Sequence, residues 1–294
     1  MQFINLLRQN NAKITTPRIK PEVEDQYLLI ASIRDPAGRT IIDSLCNDFG
    51  FMQDADRNVL VSPEFENIRL FVPSTDLLHQ EDLDRQFPEA TAFVFLSKHK
   101  SDSKIPTLTC HCTGNFGTNL FGGNPHEIAI SFPSLQKSYL KGLTASKDCL
   151  SEYEIVIEAT HHGPTSLKKP VLFVELGSAG KQWADKVAGS VICKVLLEVI
   201  RKGPERCTKV GIGLGGTHYP SKFTRLLLES EFGFAAIASK HNLEMIDIQM
   251  LNQMISKSIE KVTTIVLDCK GLGSQKDRII RLAENSGLEI LNLK

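Results

Sequence analysis

From about Tyr153 onward the chain alternates strand-forming and helix-forming runs so regularly that few folds remain open to it. YEIVIEA (153–159) and VLFVELG (171–177) are β-rich, and a helical pattern runs from about Lys181 to Arg201. KVGIGLG (209–215), a helix from Lys222 to Glu229, FAAIAS (234–239), a helix near Ile246 to Ile259, TTIVLD (263–268), a helix from Gln275 to Ala283 and LEILNL (288–293) follow. Strands alternating with helices predict an α/β fold: a mostly parallel sheet with helices on both faces. In the first half, YLLIASI (27–33) passes through Asp35-Pro36-Ala37-Gly38 into a helical pattern at Ile41, Ile42, Leu45 and Phe49. VLVSP (59–63), IRLFVP (68–73), AFVFLS (92–97) and LTCHCTGN (108–115) read as further strands, and Ser134 is expected to cap a helix reaching about Ser146. No internal repeat or low-complexity linker divides the chain. Residues 27–294 are therefore read as a single α/β domain with an elaborated N-terminal half, and residues 1–26 as a polar leader that lacks the apolar core of a secretory signal.

Composition narrows the function classes. The 294 residues carry 34 basic and 34 acidic side chains, a balance that excludes nucleic-acid binding by bulk charge and leaves only local sites for RNA or DNA. The longest nearly apolar stretches, 191–200 and 232–238, fall far short of the roughly 20 residues a membrane helix needs. Seven cysteines without a repeated CxxC pattern suggest reduced thiols in a cytoplasm rather than a zinc ribbon or a disulfide framework.

In open α/β sheets, sites form where strands end and loops begin. Five of the eight histidines meet that description: His99 after the strand 92–97, His111 near the end of 108–112, His161 and His162 after 153–159, and His218 after 209–215. His79, His126 and His241 lie in looser contexts. The segment Glu158-Ala159-Thr160-His161-His162-Gly163-Pro164-Thr165 is the sharpest, because a His pair held by Gly-Pro presents two imidazoles on a short loop. Imidazole is suited to ligating zinc and to moving a proton near neutral pH. Glu175, next to Gly177-Ser178, can orient a histidine, ligate a metal or act as a base.

Gly177 and Ser178 at a helix start, and the loop carrying Gly215 and Gly216, offer backbone N–H groups for a phosphate or an oxyanion. GIGLGG matches neither a Walker loop nor a dinucleotide fingerprint, so a nucleotide cofactor is not expected. Lys98, Lys100 and Lys104 around His99, Lys168 and Lys169 after the His pair, and Lys222 near His218 are the local cations available to a polyanion. Trp183, the single tryptophan, is expected in the core or at a pocket wall.

Taken in order, FLSKHKS, LTCHCTGN, EATHHGPTSLKKPVLFVELGSAGKQW and GIGLGGTHYPSKFT resemble the archaeal and plant type of D-aminoacyl-tRNA deacylase, over about residue 27 to the C-terminus. The resemblance implies a phosphorylase or peptidyl-tRNA-hydrolase-like α/β fold. It also implies hydrolysis of the ester joining a D-amino acid to the 3′-terminal adenosine of tRNA, and dependence on zinc. Carried over by motif, the site is His99, His111, His161, His162, Glu175 and His218. The histidines are the candidate metal ligands, and His161, His162 and Glu175 the candidate catalytic groups. Gly177, Ser178, Gly215, Gly216, Lys168, Lys169 and Lys222 are the candidate substrate contacts. The expected partner is the acceptor end of D-aminoacyl-tRNA, met by a cytoplasmic monomer without membrane association. Without a Gly-x-Ser-x-Gly elbow or a cysteine at a helix start beside a histidine, direct attack by water is expected rather than an acyl-enzyme. The alternatives are a peptidyl-tRNA hydrolase-like esterase, a nucleoside phosphorylase and a non-catalytic protein that shields the tRNA acceptor end.

Overall fold

The computed structural model describes residues 26–55 and 58–294. The leader expected over 1–26 thus lies outside the described residues, except for Gln26, which opens the first strand. In chain order the elements are β1 (Gln26–Ala31), α1 (Pro36–Phe49), β2 (Met52–Gln53), β3 (Leu60–Val61), β4 (Ile68–Phe71), α2 (Leu83–Gln86), β5 (Ala90–Lys98), β6 (Thr107–His111), β7 (Gly114–Asn115), β8 (Glu127–Ile128) and α3 (Pro133–Ala145). They continue as β9 (Glu154–Ile157), β10 (Val171–Gly177), α4 (Gly180–Trp183), α5 (Lys186–Lys202), β11 (Lys209–Leu214), α6 (Ser221–Glu229), β12 (Phe232–Ala238), α7 (Ile248–Ser256), β13 (Thr264–Asp268), α8 (Lys276–Glu284) and β14 (Glu289–Leu293).

The strands form an eight-stranded sheet in the order β2-β3-β4-β1-β5-β10-β6-β9, a four-stranded sheet in the order β12-β11-β13-β14, and the small pair β7-β8. The four-stranded sheet is parallel throughout. In the larger sheet β4, β1, β5 and β10 are parallel, whereas β6 and β9 run antiparallel to β10 and parallel to each other.

Strand alternation separates the two faces of the large sheet. Ala92, Val94 and Leu96 of β5 and Leu172, Val174 and Leu176 of β10 join the core built with α1, α3 and α5. Phe93, Phe95, Val171 and Phe173 point the other way, toward Leu77, Leu83, Ala129 and Leu167, residues of loops and short turns. The helices expected on both faces are therefore found about the small sheet, where α7 and α8 share one apolar cluster with the strands and Phe223 and Leu227 of α6 pack in another. One face of the large sheet is left to loops, and the loops bring polar side chains to it.

Two helix ends differ from expectation. The run from Lys181 to Arg201 is broken at Asp185, whose carboxylate accepts from the N–H groups of Val187 and Ala188 (both 3.0 Å) and so starts a new helix, α5. Ser134 does not cap α3 but lies inside its first turn. Its N–H donates to Glu260 Oε2 (2.7 Å), so a carboxylate 126 residues away meets the positive end of the helix. No helix among the described residues is long and apolar enough to cross a membrane.

Candidate active site

The site grows from three neighbouring strands. Register places Ser97 beside Glu175 and Glu175 beside Thr109, with Phe173 beside His111. All therefore project from the loop-covered face, over a floor in which Phe95 and Phe173 stack with ring centroids 4.6 Å apart. Five histidines gather here, although they do not share a strand edge. Because β6 opposes β10, His111 arrives from the reverse direction and meets Glu175 across the sheet face rather than at its end. The segment after β9 then folds over the cluster, held by Thr160 N–H donating to Ile237 O (2.9 Å) and Ala159 N–H donating to His218 O (2.9 Å). The small sheet thus delivers His218 and Tyr219, from the loop after β11, to a site floored by the large one.

Two groupings of different character result. The first centres on His99, only 4% exposed. Its Nδ1 lies 3.2 Å from Glu175 Oε2 and 3.2 Å from Glu158 Oε1, and its Nε2 is 2.8 Å from the Tyr219 hydroxyl. Trp183 Nε1–H donates to the His99 carbonyl (2.8 Å), and Ser97 Oγ donates to Glu175 Oε1 (2.9 Å). Burial opposes charge on His99, but the two carboxylates outweigh it and raise its pKa to about 10. Glu175 is likewise pulled down to about 2 against its own burial, by the neighbouring imidazoles of His111 and His99, and Glu158 is held well below the carboxylate range by His218 and His99. This is an imidazolium clamped by two carboxylates, with both ring nitrogens occupied.

The second grouping is His111, His161 and His162. Each gives its Nδ1 to a backbone carbonyl: His111 to Cys112 (3.1 Å), His161 to Ala159 (2.8 Å) and His162 to Gly163 (2.7 Å). That arrangement fixes the Nδ1–H tautomer and leaves the Nε2 lone pairs facing inward. The three ligand atoms lie within 4.8 Å of one another, and Nε2 of His111 is fully buried without a hydrogen-bond partner. Burial and the neighbouring imidazoles hold His161 well below its usual pKa and His162 at about 4, so both are neutral ligands at physiological pH. His111 is drawn upward by Glu175, 3.7 Å from its Nε2, despite burial: this position calls for a positive charge. Two further trios also offer atoms within 4.8 Å: Glu158, His161 and His218, sharing His161 with the first, and His99, Glu158 and Glu175.

Both groupings border a cleft of about 590 Å³, within the usual range for a small-molecule site. Its floor is made by His99, Glu158, His161, His162, Glu175 and His218; Leu77, Leu78 and Phe121 form an apolar side, and Arg34, Lys98 and Lys100 a cationic rim.

The other expected contacts are elsewhere. Gly177 serves His99 sterically, since a Cβ there would meet the Cβ and carbonyl oxygen of His99 at 2.5 and 2.6 Å. Ser178 is buried, and its hydroxyl donates to the Ile105 carbonyl. Gly215 and Gly216, with φ of +102° and +78°, let the loop after β11 approach Asp268 and Gly271. Lys222 pairs with Asp268 at 2.5 Å. Lys169 Nζ donates to Ala90 O (2.6 Å), at the start of β5, and at ~3.3 Å per residue that is about 26 Å from Lys98 at its end. Lys168 is exposed on the same segment, with its N–H on Asp84.

Glu158, which serves both His99 and His218, is the main participant absent from the expected site, although its place three residues before His161 in the same motif signals it. Tyr219, next to His218, is signalled in the same way. Arg34 and Phe121 carried no signal beyond lying in loops after strands.

Comparison with known proteins identifies the family. The pattern of the D-aminoacyl-tRNA deacylase family matches residues 86–291. The D-aminoacyl-tRNA deacylase of Cenarchaeum symbiosum is 35% identical over 267 residues, covering 90% of this chain and 99% of the relative. That of Methanocaldococcus jannaschii is 37% identical over 275 residues, covering 90% and 98%. A crystal structure of a conserved protein of unknown function, AF0625, superposes with a TM-score of 0.82 at 29% identity over 91% of this chain and 95% of that one. The chain belongs to the D-aminoacyl-tRNA deacylase family and is an enzyme of the hydrolase class.

Proposed function

We propose that the protein hydrolyses the ester of D-aminoacyl-tRNA by direct attack of water, with zinc held by Nε2 of His111, His161 and His162. The observation that carries this reading is the convergence of three imidazoles whose Nδ1 atoms are all committed to backbone carbonyls, one with a buried, partnerless Nε2. An all-imidazole donor set of this kind suits zinc, which at a site left open on its fourth side activates water near neutral pH. His99, expected among the ligands, also forms a candidate metal group with Glu158 and Glu175, but in this reading it holds the charged role, because both carboxylates meet its Nδ1 and the Tyr219 hydroxyl its Nε2. Glu175, expected as a base, instead keeps His99 charged.

The base is assigned to His218. Its Nε2–H donates to Glu158 Oε2 (2.7 Å), which fixes the tautomer and leaves Nδ1 as the proton acceptor at the cleft. The Glu158–His218 pair takes the proton from the attacking water and returns it to the ribose oxygen as the ester breaks. A thiol nucleophile is disfavoured: Cys110 and Cys112, which flank His111, are buried, and burial pushes Cys110 well up and Cys112 to about 12. We assign the protein to the cytoplasm because its proposed substrate is an aminoacyl-tRNA, and read it as a monomer.

The test compares hydrolysis of D-aminoacyl-, L-aminoacyl- and N-acetyl-L-aminoacyl-tRNA, before and after chelation and zinc add-back. Preference for the D-ester, lost on chelation and restored by zinc, is expected. Preference for the N-acetyl ester would replace this reading with peptidyl-tRNA hydrolysis. Binding without cleavage of any of the three esters would leave only an acceptor-end binding protein.

A further inference from the structure

The cleft that carries the cationic rim also presents an aromatic ring to solvent. Phe121 is 66% exposed, yet it lines the same cavity as the histidines. A phenyl ring in a cleft of ligand size offers an occupant about 1.5–3 kcal/mol of apolar burial next to the histidines. The holding is evident in the backbone. The Phe121 carbonyl accepts from Gly163 N–H (3.0 Å), next to His162, and Asn115 Nδ2 donates to the carbonyls of Gly122 (2.8 Å) and Asn124 (3.0 Å). Gly122 and Gly123 take φ of +74° and +75°, and a Cβ on Gly122 would lie 2.1 Å from the Leu78 carbonyl oxygen. The backbone that carries the ring is therefore fixed beside the His161–His162 loop, and the ring lines the cleft with Leu77 and Leu78.

Arg34 and Lys100 line the same cavity and are exposed, and no salt bridge engages either among the described residues. Lys98 is tied to Asp35 at 3.3 Å, so the free cations of this lining are Arg34 and Lys100. Free cations and an aromatic ring lining one cleft are what the end of a single-stranded nucleic acid requires, for its phosphate and its base.

We infer that Phe121 stacks on the terminal adenine of the tRNA while Arg34 and Lys100 hold the phosphate 5′ to that nucleotide, which fixes the scissile ester over His161 and His218. The inference rests on the deacylase reading and replaces the Lys168–Lys169 segment as the RNA contact. It also explains how a chain of zero net charge recognises a polyanion: two cations and one ring at the catalytic cleft suffice for the last nucleotide.

The test uses the full chain with its metal as purified, and uncharged tRNA whose terminal nucleotide either carries its adenine or is abasic, the abasic form keeping the ribose and its 5′ phosphate. Removing that base is expected to weaken binding to the wild type by about tenfold or more, the range of one base stacked on an aromatic side chain. For Phe121→Ala the same removal changes affinity by less than about threefold, and Phe121→Trp restores the wild-type dependence. Arg34→Ala with Lys100→Ala weakens binding of both RNAs and lowers the slope of affinity against salt by about 2, one for each cation withdrawn from the RNA backbone. Equal dependence on the terminal adenine in wild type and Phe121→Ala overturns the inference. So does a Phe121→Ala enzyme that only re-ranks D-amino acids, since the ring then seats the amino-acid side chain. Intact coupling to the adenine in a wild type that cleaves no D-ester would defeat the deacylase reading alone; normal cleavage without coupling defeats only the stacking.

Discussion

The two histidine groupings border one cleft on the same face of the large sheet, yet they are opposites. His99 is surrounded by acceptors: two carboxylates at its Nδ1 and a hydroxyl at its Nε2 make it a cation with nothing left to offer. His111, His161 and His162 are surrounded by one another and by backbone carbonyls, which take the Nδ1 protons and leave the Nε2 lone pairs open. The same side chain becomes a structural cation in one setting and a ligand in the other. What decides is which partner reaches each nitrogen, carboxylate or carbonyl.

Breaking the ligand group has the largest expected effect. His111→Ala removes the most deeply buried member of the proposed zinc trio, which lies beneath the cleft lining. Activity should fall by about a thousandfold or more, because the Lewis acid supplies several kcal/mol of transition-state stabilisation. Zinc measured by elemental analysis should fall with it. His218→Ala should lose activity while keeping its metal; if it loses zinc instead, the second trio, Glu158, His161 and His218, is the true site.

Breaking the charged group should instead be felt first in stability. His99→Gln leaves Glu158 and Glu175 buried side by side without their cation, a loss of about 3–5 kcal/mol for a broken buried pair. The sign with pH follows from the raised pKa. Stabilisation by His99 is complete below about 6.5, its unfolded value, and is lost as pH rises through about 10. Urea unfolding should therefore show a wide gap between wild type and variant near pH 6 that narrows toward pH 10. A constant gap would mean that His99 is neutral in the folded protein.

This contrast was only half legible in the sequence. The motif EATHHGPT and the positions of His99, His111 and His218 after strands were enough to gather the cluster, and strand–helix alternation was enough for the α/β class. What the sequence hid was direction. A strand running antiparallel to its neighbour has the same local pattern as a parallel one, so the arrival of His111 across the sheet face could not be read from LTCHC alone. Charge state was hidden for the same reason: Glu158 and Glu175 reach His99 from two different strand ends, and only the register brings both to one nitrogen. Lys168 and Lys169 follow the histidine pair in sequence, yet the chain travels back along the sheet within those few residues, so proximity in sequence misplaced them. The break at Asp185 was the more readable difference, since an Asp followed by a helical run is an ordinary N-cap signal, here set inside a long apolar pattern.

The smallest expected effect comes from the spacing between the two strands that carry the charged group. Gly177 closes β10 where the chain passes His99, and an added Cβ would lie 2.5 Å from the Cβ of His99 and 2.6 Å from its carbonyl oxygen. Neither neighbour can yield freely, because the carbonyl is held by Trp183 Nε1–H and the ring by Glu175 and Tyr219. Gly177→Ala should therefore push His99 off its carboxylates, at a cost of about 1–3 kcal/mol, typical of overpacking a filled site. The ligand trio hangs from β6 and from the loop after β9, neither of which needs to move. Zinc content should then stay at the wild-type level while thermal stability falls and the ring resonances of His99 shift. If Gly177→Ala sheds zinc as readily as His111→Ala does, the two groupings are one unit, and the division of labour between the charged histidine and the neutral ones fails.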